Sequence, residues 1–360
     1  MNLEEMQDFY NGRKVLITGH TGFKGSWMCV ALNMLGADIT GYALSASEVT
    51  NPALFEIADV AERMNSVVGD IRDLDRLKVI FDKVQPEVVI HMVAQPLVRE
   101  SYANPVLTYE TNVMGTVNVL ECCRMSDSVK SVVNVTTDKV YRNEERAEGY
   151  REDEYLDGFD PYSNSKSCSE LVTSSYKKSF FGDGRVAIST CRAGNVIGGG
   201  DFAKDRIIPD AIRAFSENEP LIVRNPFSTR PYQHVLEPVF AYLYLAMLQF
   251  NDSSYQGNYN IGPDDEDCVT TGELADKICE KWGSGASWIN KYDGGPHEAQ
   301  FLKLDCTKAH TILDWKPRWH IDEAISRIVE FEKIRLNGAD SEVIRNVMTK
   351  QIREYLGVTE

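Results

Sequence analysis

The chain has 360 residues, of which 43% are hydrophobic and 26% charged, as expected for a globular protein with one large domain and a smaller lobe. Its net charge of −16 excludes nucleic acid and anionic membrane surfaces as partners, because such a field repels phosphates. We find no signal-peptide pattern and no apolar run of membrane-spanning length. Eight scattered cysteines without a C-x-x-C pair indicate reduced thiols in the cytoplasm and no metal site.

Short apolar runs alternate with helical stretches through the first half of the chain. In chain order, the predicted strands cover residues 14–18, 38–44, 65–68, 87–91, 131–136 and 186–191. The predicted helices between them cover residues 25–35, 74–84, 105–124 and 163–181. This alternation predicts an α/β fold with a Rossmann-type doubly wound parallel sheet, whose ligands bind at the carboxyl ends of the strands.

The alternation weakens after about residue 194. We predict that residues 1–193, with about 230–262, form the first domain, to which a helix at 237–250 returns. Residues 194–229 and 263–360 are predicted to form a smaller C-terminal α/β lobe for the substrate. A cleft between the two is the expected place for a small molecule.

A glycine loop with the spacing G-x-x-G-x-x-G follows the first predicted strand. Glycines there allow a tight turn and a close backbone approach to a pyrophosphate, and the N-terminus of the next helix offers free N–H groups. This placement favours a dinucleotide site over a plain turn. The predicted cofactor contacts in the loop are Gly19, His20, Thr21, Gly22, Phe23, Lys24 and Gly25.

The choice between NAD and NADP depends on the residues after the second strand. Residues 41–45 contain neither an acid for the ribose diol nor an arginine for a 2′-phosphate. No arginine occurs between Arg13 and Arg63, so we predict NAD. Asp70 and Ile71, after the third strand, are predicted to contact the adenine edge, although Asp70 is equally suited to capping the next helix.

A Y-x-x-x-K motif places Tyr162 and Lys166 on one face of a helix. Deprotonating a tyrosine near pH 7 needs a pKa shift of about 3 units, which a neighbouring ammonium and a positive nicotinamide can provide. Thr137 and Asp138 follow a predicted parallel strand upstream. These residues predict a reaction centre at the cofactor.

These elements together resemble the extended short-chain dehydrogenase/reductase family. Residues 91–95 resemble the family's segment after the fourth strand, and residues 111–116 resemble the helix that follows it. The resemblance adds Ala94 and Thr111 as cofactor contacts, beside Tyr162 and Lys166.

A narrower set of segments resembles the CDP-glucose 4,6-dehydratase family. These segments are residues 19–27, 137–141, 160–166, 229–235 and 297–299. The resemblance implies a hydro-lyase that dehydrates a nucleotide-hexose through transient hydride transfer to bound NAD. It also implies a homodimer or homotetramer formed through helices of the Rossmann domain.

The same resemblance implies roles for five residues. Tyr162 takes the proton of the sugar's 4-hydroxyl with Thr137 sharing the hydrogen bond, while Lys166 acts beside it. Asp138 protonates the hydroxyl that leaves from C6. Lys139 stands where many retaining dehydratases carry Glu, so the base for the C5 proton is either Lys139 or a group that it assists.

An anionic sugar nucleotide needs local cations in so acidic a protein. Arg230 is the leading candidate for the diphosphate, because a guanidinium can bridge two phosphate oxygens. Each substrate contact competes with a reading as a surface salt bridge or a loop hydrogen bond. The predicted substrate contacts are Gln95, Arg99, Ser101, Tyr102, Asn195, Arg206, Arg230, His234 and Glu298.

Three other functions use the same fold. One is a 4,6-dehydratase for another nucleotide sugar, and a second is a 4-epimerase or reductase, which needs no Asp138–Lys139 pair. The third is a non-catalytic NAD-binding regulator, which is disfavoured because Tyr162 and Lys166 are both present.

Overall fold

The computed structural model describes residues 2–292 and 301–358. Its centre is a seven-stranded sheet in the order β7-β6-β5-β4-β1-β2-β3, and every neighbouring pair is parallel. The strands are β1 (Lys14–Thr18), β2 (Asp38–Ala43), β3 (Asn65–Val68), β4 (Val88–His91), β5 (Ser131–Val135), β6 (Ala187–Ala193) and β7 (Asn258–Ile261). The predicted doubly wound sheet is confirmed, with its switch point between β1 and β4. We did not predict β7 as a strand.

Hydrophobic side chains on both faces of the sheet explain why helices cover both. In β1, Val15 and Ile17 join one core and Leu16 joins another, and none of the three is exposed. The first core contains helices Leu3–Tyr10, Phe23–Met34, Leu236–Asn251 and Ser341–Leu356. The second contains helices Leu74–Val84, Gly115–Met125 and Pro161–Phe180.

The predicted helix at 105–124 forms, but it is not a regular α-helix. It runs through Pro105–Tyr109, a π-helical turn at Glu110–Met114 and the α-helix Gly115–Met125. Such π-turns break the side-chain periodicity and often lie at functional sites. Here the turn carries Asn112, whose side chain is buried.

A separate hydrophobic core lies beyond residue 194. Its helices are Ile207–Ser216, Thr271–Trp282 and the first half of Ile321–Leu336. Its paired strands are Leu221–Val223 with Trp288–Asn290, Thr229–Pro231 with Cys268–Thr270, and Val196–Ile197 with Gln233–His234. The remaining short helices are Ala46–Val49, Leu54–Ile57, Val60–Arg63, Val98–Ala103, Asp138–Val140, Ser253–Tyr255, Asp265–Asp267 and Thr307–Ile312.

Two helices bear on the predicted domain boundaries. Helix Leu236–Asn251 packs against β5 and β6, on the first-domain side. Helix Ser341–Leu356 packs against Phe23–Met34 and adds Ile344, Met348 and Ile352 to the same core. The boundaries remain a prediction, and we now place residues 341–356 with the first domain rather than with the smaller lobe.

Among residues 2–292 and 301–358, no helix combines the length and the apolar character that crossing a bilayer requires.

Candidate active site

The glycine loop lies between β1 and the helix Phe23–Met34. Gly19 has a φ of +82°, which favours glycine, and a Cβ there would lie 3.0 Å from the backbone nitrogen of Val93. Gly22 is the N-cap of the helix and offers no capping side chain, so the N–H groups of the first turn stay available for an anion. The loop therefore has the cradle that a dinucleotide pyrophosphate needs.

Gly25 is the glycine of the loop with the least space. A Cβ at this position would lie 2.2 Å from the carbonyl oxygen of Gly19 and 2.6 Å from the Cα of His20. Backbone atoms cannot move aside without separating the helix from β1. We expect Gly25→Ala to destabilise the protein by about 1–3 kcal/mol and to weaken dinucleotide binding at least about tenfold.

Thermal unfolding and titration of the intrinsic fluorescence with the dinucleotide measure both effects of Gly25→Ala. The matched control is Gly182→Ala, because a Cβ at Gly182 meets only the Lys178 carbonyl oxygen, at 3.7 Å. Equal affinity in the two variants would contradict the role assigned to the close contact at Gly25.

His20 is fully buried, and its Nδ1 has no hydrogen-bond partner among the described residues. Its Nε2 pairs with the Ser66 hydroxyl at 2.8 Å, and burial lowers the pKa of the imidazole to about 4. Gly41 leaves the room for this ring, since a Cβ there would lie 2.2 Å from the His20 Cγ. His20 thus contributes to the loop by packing as a neutral side chain.

The predicted adenine contact lies at the end of β3. Asp70 pairs with Arg72 at 2.6 Å, and this hydrogen bond lowers the pKa of the carboxyl. Asp70 and Arg72 line an open cavity of about 450 Å³ together with Asp73, Glu110 and Met114. The cap of the next helix is Asp73, whose side chain accepts from Arg76 N. The capping alternative for Asp70 is therefore not observed.

Ile71 is buried, and its side chain occupies the space that a Cβ at Gly115 would need. Its carbonyl oxygen accepts a hydrogen bond from the Asn118 side chain at 2.9 Å. Ala94 and Thr111, the remaining predicted cofactor contacts, are both half-buried.

Thr137 and Asp138 follow β5 and enter the short helix Asp138–Val140. The Thr137 hydroxyl donates to Asp138 Oδ1 at 2.9 Å, and it also caps the turn by accepting from Lys139 N. Asp138 is 2% exposed, and its Oδ2 has no hydrogen-bond partner among the described residues. Burial raises the pKa of the Asp138 carboxyl, while the charge of Lys139 opposes this shift. Asp138 is therefore suited to carrying a proton.

Tyr162 stands in the first turn of helix Pro161–Phe180, which Asp160 caps by accepting from Ser163 N. Burial raises the pKa of Tyr162 to about 12, against a hydrogen bond with Thr137 that lowers it. In the protein alone, burial of the phenol outweighs the hydrogen bond with Thr137 and the positive charge of Arg206. The low tyrosine pKa that we expect needs the charge of a bound nicotinamide as well, so it stays a prediction.

Lys166 lies one turn further along the same helix and is 3% exposed. Its Nζ donates to the carbonyl oxygen of Val135 at 3.1 Å, which ties the helix to the end of β5. Burial and, to a smaller extent, the positive charge of Lys24 lower the pKa of Lys166 to about 7. Two lysines from distant parts of the sequence thus share one electrostatic environment.

Arg206 approaches the reaction centre from the smaller lobe. Its Nη1 pairs with the Asp201 Oδ2 at 3.0 Å, and the Asp201 side chain is 4% exposed. The positive charge of Arg206 lowers the pKa of Tyr162. Sequence reasoning missed Asp201, although it directly follows the glycine triplet 198–200 that we identified only as a loop.

Arg230 lies on the strand Thr229–Pro231 and is 7% exposed. It donates to the carbonyl oxygen of Thr229 at 3.0 Å, and its charge lowers the pKa of Asp138. The structure therefore brings Arg206 and Arg230 to the same cleft as Asp138 and Tyr162.

Two predicted substrate contacts use their polar groups inside the protein. The Gln95 side chain donates to Thr108 Oγ1 on helix Pro105–Tyr109 at 2.9 Å and accepts from Leu97 N at 2.7 Å. Ser101 is buried and donates to the Val98 carbonyl oxygen. The prediction that these two side chains line the sugar pocket is not supported.

His234 is also a correction. Its ring has no exposed surface and packs edge-on against Trp27 and Trp319, with centroids 6.0 and 4.8 Å away. Burial lowers its pKa to about 3, so it is a neutral packing side chain. Asn195 is half-buried, and its carbonyl oxygen accepts from Gln233 N at 2.9 Å.

The remaining predicted substrate contacts are Arg99, Tyr102 and Glu298. Arg99 is half-buried, whereas Tyr102 is 45% exposed. Burial raises the pKa of the Tyr102 phenol, and the nearby charge of Asp160 adds to this shift. Glu298 lies outside the described residues.

A buried network behind the reaction centre was not predicted. Glu170, one turn after Lys166, forms an ion pair with Arg192 at 2.9 Å, and both side chains are 1% exposed. Glu170 also accepts from the hydroxyls of Thr136 and Thr190, at 2.5 and 2.7 Å. The pair joins the Tyr162 helix to β5 and β6 directly beneath Thr137.

Asn112 of the π-helical turn makes a second set of hydrogen bonds behind the reaction centre. Its Nδ2 donates to Ser165 Oγ at 2.8 Å, and its Oδ1 accepts from Gln95 N at 2.8 Å. The segment after β4 is thereby fixed to the Tyr162 helix. Residues 111–116 resemble the family's helix in sequence, but only the structure gives Asn112 this role.

Residues 16–328 match the family model described as GDP-mannose 4,6 dehydratase. CDP-glucose 4,6-dehydratase of Salmonella typhimurium is 46% identical over 98% of this chain and 99% of that protein.

Solved structures share the fold at lower sequence identity. A dTDP-glucose 4,6-dehydratase of Bacillus anthracis in complex with NAD has a TM-score of 0.74 and 20% identity, covering 89% of this chain and 97% of that one. A UDP-glucose 4-epimerase of Thermotoga maritima with UDP-glucose has a TM-score of 0.77 and 21% identity, covering 89% and 99%. The sequence matches and the observed sheet agree: the chain belongs to the nucleotide-sugar 4,6-dehydratase family of extended short-chain dehydrogenases/reductases, alongside the CDP-glucose 4,6-dehydratases.

Proposed function

We propose that the protein converts CDP-D-glucose to CDP-4-dehydro-6-deoxy-D-glucose and water, with NAD as a recycled cofactor. One observation carries the choice of a dehydratase over an epimerase or reductase. Asp138 is a buried carboxyl with a raised pKa, it lies beside Thr137 and Tyr162, and one of its oxygens has no hydrogen-bond partner in the part of the chain that the structure describes. An epimerase or reductase needs no such acid. The 46% identity to a CDP-glucose 4,6-dehydratase supports the cytidine nucleotide.

The glycine loop fits a dinucleotide, because Gly19 has a φ of +82° and Gly22, the N-cap of the following helix, has no capping side chain. Thr21, Phe23 and Gly25 complete the loop. When bound, NAD would supply a reversible hydride acceptor for the sugar's C4 hydrogen and a positive charge near Tyr162. That charge is needed because burial holds the Tyr162 pKa at about 12 in the protein alone.

Tyr162 removes the proton of the 4-hydroxyl while Thr137 holds the oxygen in place. The resulting 4-keto group acidifies the C5 proton, and we assign the removal of this proton to Lys139. Asp138 then protonates the 6-hydroxyl, and the C–O bond at C6 breaks. Lys139 returns its proton to C5 at the end. Asp138 thus supplies the proton of the released water. Tyr162 loses the proton that it took from the 4-hydroxyl and Asp138 regains one by exchange with solvent, so the net change is the loss of one water from the sugar.

Arg206 and Arg230 are the proposed diphosphate ligands. Both guanidinium groups reach the cleft, where their charges act on Tyr162 and Asp138. They supply the local positive charge that an anionic substrate needs in a protein of net charge −16. Asn195, Arg99 and Tyr102 remain secondary candidates around the sugar.

A panel of CDP-, dTDP-, UDP- and GDP-glucose tests the assignment. We expect a 4-keto-6-deoxy product, detected by its absorbance in alkali and by mass, to form fastest from the CDP-sugar, without net accumulation of reduced cofactor. A 4-epimer or a stoichiometric amount of reduced cofactor would contradict the dehydratase. Activity confined to another nucleotide would overturn the substrate but retain the chemistry.

The proposal extends to cellular context. All eight cysteines are free thiols in the structure, which fits the reducing cytoplasm. We place the product in 6-deoxy- and 3,6-dideoxyhexose synthesis for surface polysaccharide such as O-antigen.

A homodimer or homotetramer is the proposed assembly. Val106, Met114, Leu171 and Phe180 on the helices around Tyr162 are 48–69% exposed and are suited to covering by a second copy. Light scattering in solution measures the assembly size.

A further inference from the structure

The acid–base pair of the proposed mechanism, Asp138 and Lys139, lies on a turn that cannot hold itself in place. The turn is a single 3₁₀ helix of three residues, Asp138–Val140, and so short a helix is not stable without tertiary contacts. The hydrogen bond from Thr137 to Asp138 lies within the same segment and moves with it. The direction in which the acid–base pair points therefore depends on the groups that anchor the turn from outside.

The first anchor is a backbone carbonyl at the end of the turn. The carbonyl oxygen of Val140 accepts from Ser167 Oγ of the Tyr162 helix at 2.7 Å and from Asp157 N at 2.9 Å. These bonds fix the position of one peptide group. Bonds to a single oxygen still allow the chain to rotate about it, so the orientation of the turn needs a second anchor.

Tyr141 provides the second anchor. Its side chain is 1% exposed, and its hydroxyl donates to Asn260 Oδ1 at 2.6 Å and accepts from Arg192 Nη1 at 2.8 Å. Its ring stacks on Tyr150, with centroids 5.3 Å apart. The residue that directly follows the turn is thus tied to β6 by Arg192 and to β7 by Asn260.

Each bond of the Tyr141 hydroxyl has a defined direction. A guanidinium donates but cannot accept, so the hydroxyl proton points to Asn260. The Asn260 amide nitrogen donates to the carbonyl oxygens of Tyr150 and Asp305, at 2.7 and 3.0 Å, and its oxygen therefore faces Tyr141. A reversed arrangement would leave buried polar groups unpaired, so this network holds Tyr141 in one orientation.

Arg192 connects this anchor to the helix that carries Tyr162. Its guanidinium also pairs with Glu170 of that helix at 2.9 Å, and both side chains are 1% exposed. A continuous chain of buried bonds thus runs from the Tyr162 helix through Arg192 to Tyr141. The acid–base pair lies only two and three residues before Tyr141 in the sequence.

We propose that Tyr141 is a positioning residue, whose hydroxyl sets the orientation of the acid–base pair relative to Tyr162. The inference rests on the proposed function, since the acid–base pair serves the loss of water and not the oxidation at C4. A shift of about 1 Å in a reacting group can slow its step about a hundredfold. The role of Tyr141 should therefore be visible after the oxidation at C4, in the elimination.

The experiment uses Tyr141→Phe, which removes the hydroxyl and keeps the ring that stacks on Tyr150. Whole protein with NAD is mixed with CDP-glucose in a stopped-flow instrument, and the absorbance of reduced nicotinamide is followed as it rises and decays. The rise, which reports oxidation at C4, should stay within about threefold of the parent rate. The decay, which follows elimination, should slow about ten- to a hundredfold, with little change in the KM for CDP-glucose.

Tyr150→Phe is the matched control, because it removes the hydroxyl of the other ring in the stack. That hydroxyl also makes two hydrogen bonds, donating to Asn143 Oδ1 at 3.0 Å and accepting from Glu144 N at 2.6 Å. Neither partner is bonded to Arg192. Both variants should lose similar thermal stability, whereas only Tyr141→Phe should slow the decay, because a general loss of packing would affect both alike.

Arg192→Lys tests whether the hydroxyl acts through the buried network. Lysine keeps a positive charge beside Glu170 but lacks the planar fork that bonds Glu170 and Tyr141 together. It should slow the decay as Tyr141→Phe does. The double variant should be no slower than the slower single variant, because both changes break the same connection. Circular dichroism shows whether each variant is folded.

Parent-like decay in folded Tyr141→Phe, or equal slowing in Tyr150→Phe, would overturn the proposal. So would a double variant whose slowing is the product of the two single effects. Each of these results would leave the dehydratase assignment intact, because the parent protein would still form the 4-keto-6-deoxy product. If the parent protein forms no such product from CDP-glucose, the proposed function fails, and the role of Tyr141 fails with it.

Discussion

Replacing Asp138 with asparagine is expected to lower the rate of dehydration about a thousandfold while leaving the oxidation at C4 detectable. Asparagine keeps an acceptor for the Thr137 hydroxyl but has no proton for the 6-hydroxyl to leave with. The reaction should therefore stop after the first step, with reduced cofactor accumulating. Stopped-flow absorbance of the reduced nicotinamide and the yield of 4-keto-6-deoxy product measure the two steps separately.

The Asp138 variant should fold normally, which makes the kinetic result interpretable. Burial raises the pKa of Asp138, so its ionised form is less favourable in the folded protein than in the unfolded chain. The neutral asparagine removes that cost, and stability near pH 7 should be equal or higher. Asp157→Asn, on a side chain that is 52% exposed, is the matched control and should dehydrate normally. Normal dehydration by Asp138→Asn would refute the acid assignment.

The acid also predicts a pH dependence. Asp138 donates only when protonated, so dehydration by the parent protein should slow as the pH rises through the raised pKa of this carboxyl. The falling limb should be absent from the residual activity of Asp138→Asn, since the amide does not titrate.

Replacing Arg192 with methionine should cause the largest loss of stability, about 3–5 kcal/mol in the free energy of unfolding. The change leaves the Glu170 carboxylate buried without its cation, at 1% exposure. Urea unfolding, monitored by far-ultraviolet circular dichroism, gives the free energy. The loss of stability arises because the buried Glu170 carboxylate has no cation to pair with, rather than because the packing of Arg192 is lost.

The double variant Glu170→Gln/Arg192→Met tests this explanation. Removing both charges should recover a large part of the loss, because no uncompensated carboxylate remains. Arg142→Met, whose ion pair with Asp157 is exposed, should change the stability far less. A double variant as unstable as the sum of the two single variants would show that the charges do not interact in this way.

Local signals in the sequence were sufficient for the elements that carry the reaction. β1 and its glycine loop could be predicted because an apolar strand, three glycines and a helix start lie within twelve consecutive residues. The Tyr162 helix was similarly marked, since Asp160 and Pro161 are a typical N-cap and first helical residue. Helical spacing alone then brings Tyr162 and Lys166 to one face.

The roles of buried polar side chains could not be predicted in this way. His20 and His234 stand in motifs that resemble the family, yet each ring is packed inside the protein as a neutral group. Gln95 and Ser101 follow the right strand, but their side chains satisfy their own loop and helix. Whether such a group faces a ligand depends on which distant segments cover it.

The sequence by itself determined the parallel sheet, the glycine loop and the order of Thr137, Asp138, Tyr162 and Lys166, because these depend on hydrophobic periodicity and short spacings. Only the tertiary structure decided that Glu170 pairs with Arg192, that Asp201 pairs with Arg206, and that the charge of Lys24 acts on Lys166. The physical reason is that charge pairing and burial are set by contacts between segments far apart in the chain. The local sequence of each segment does not determine those contacts.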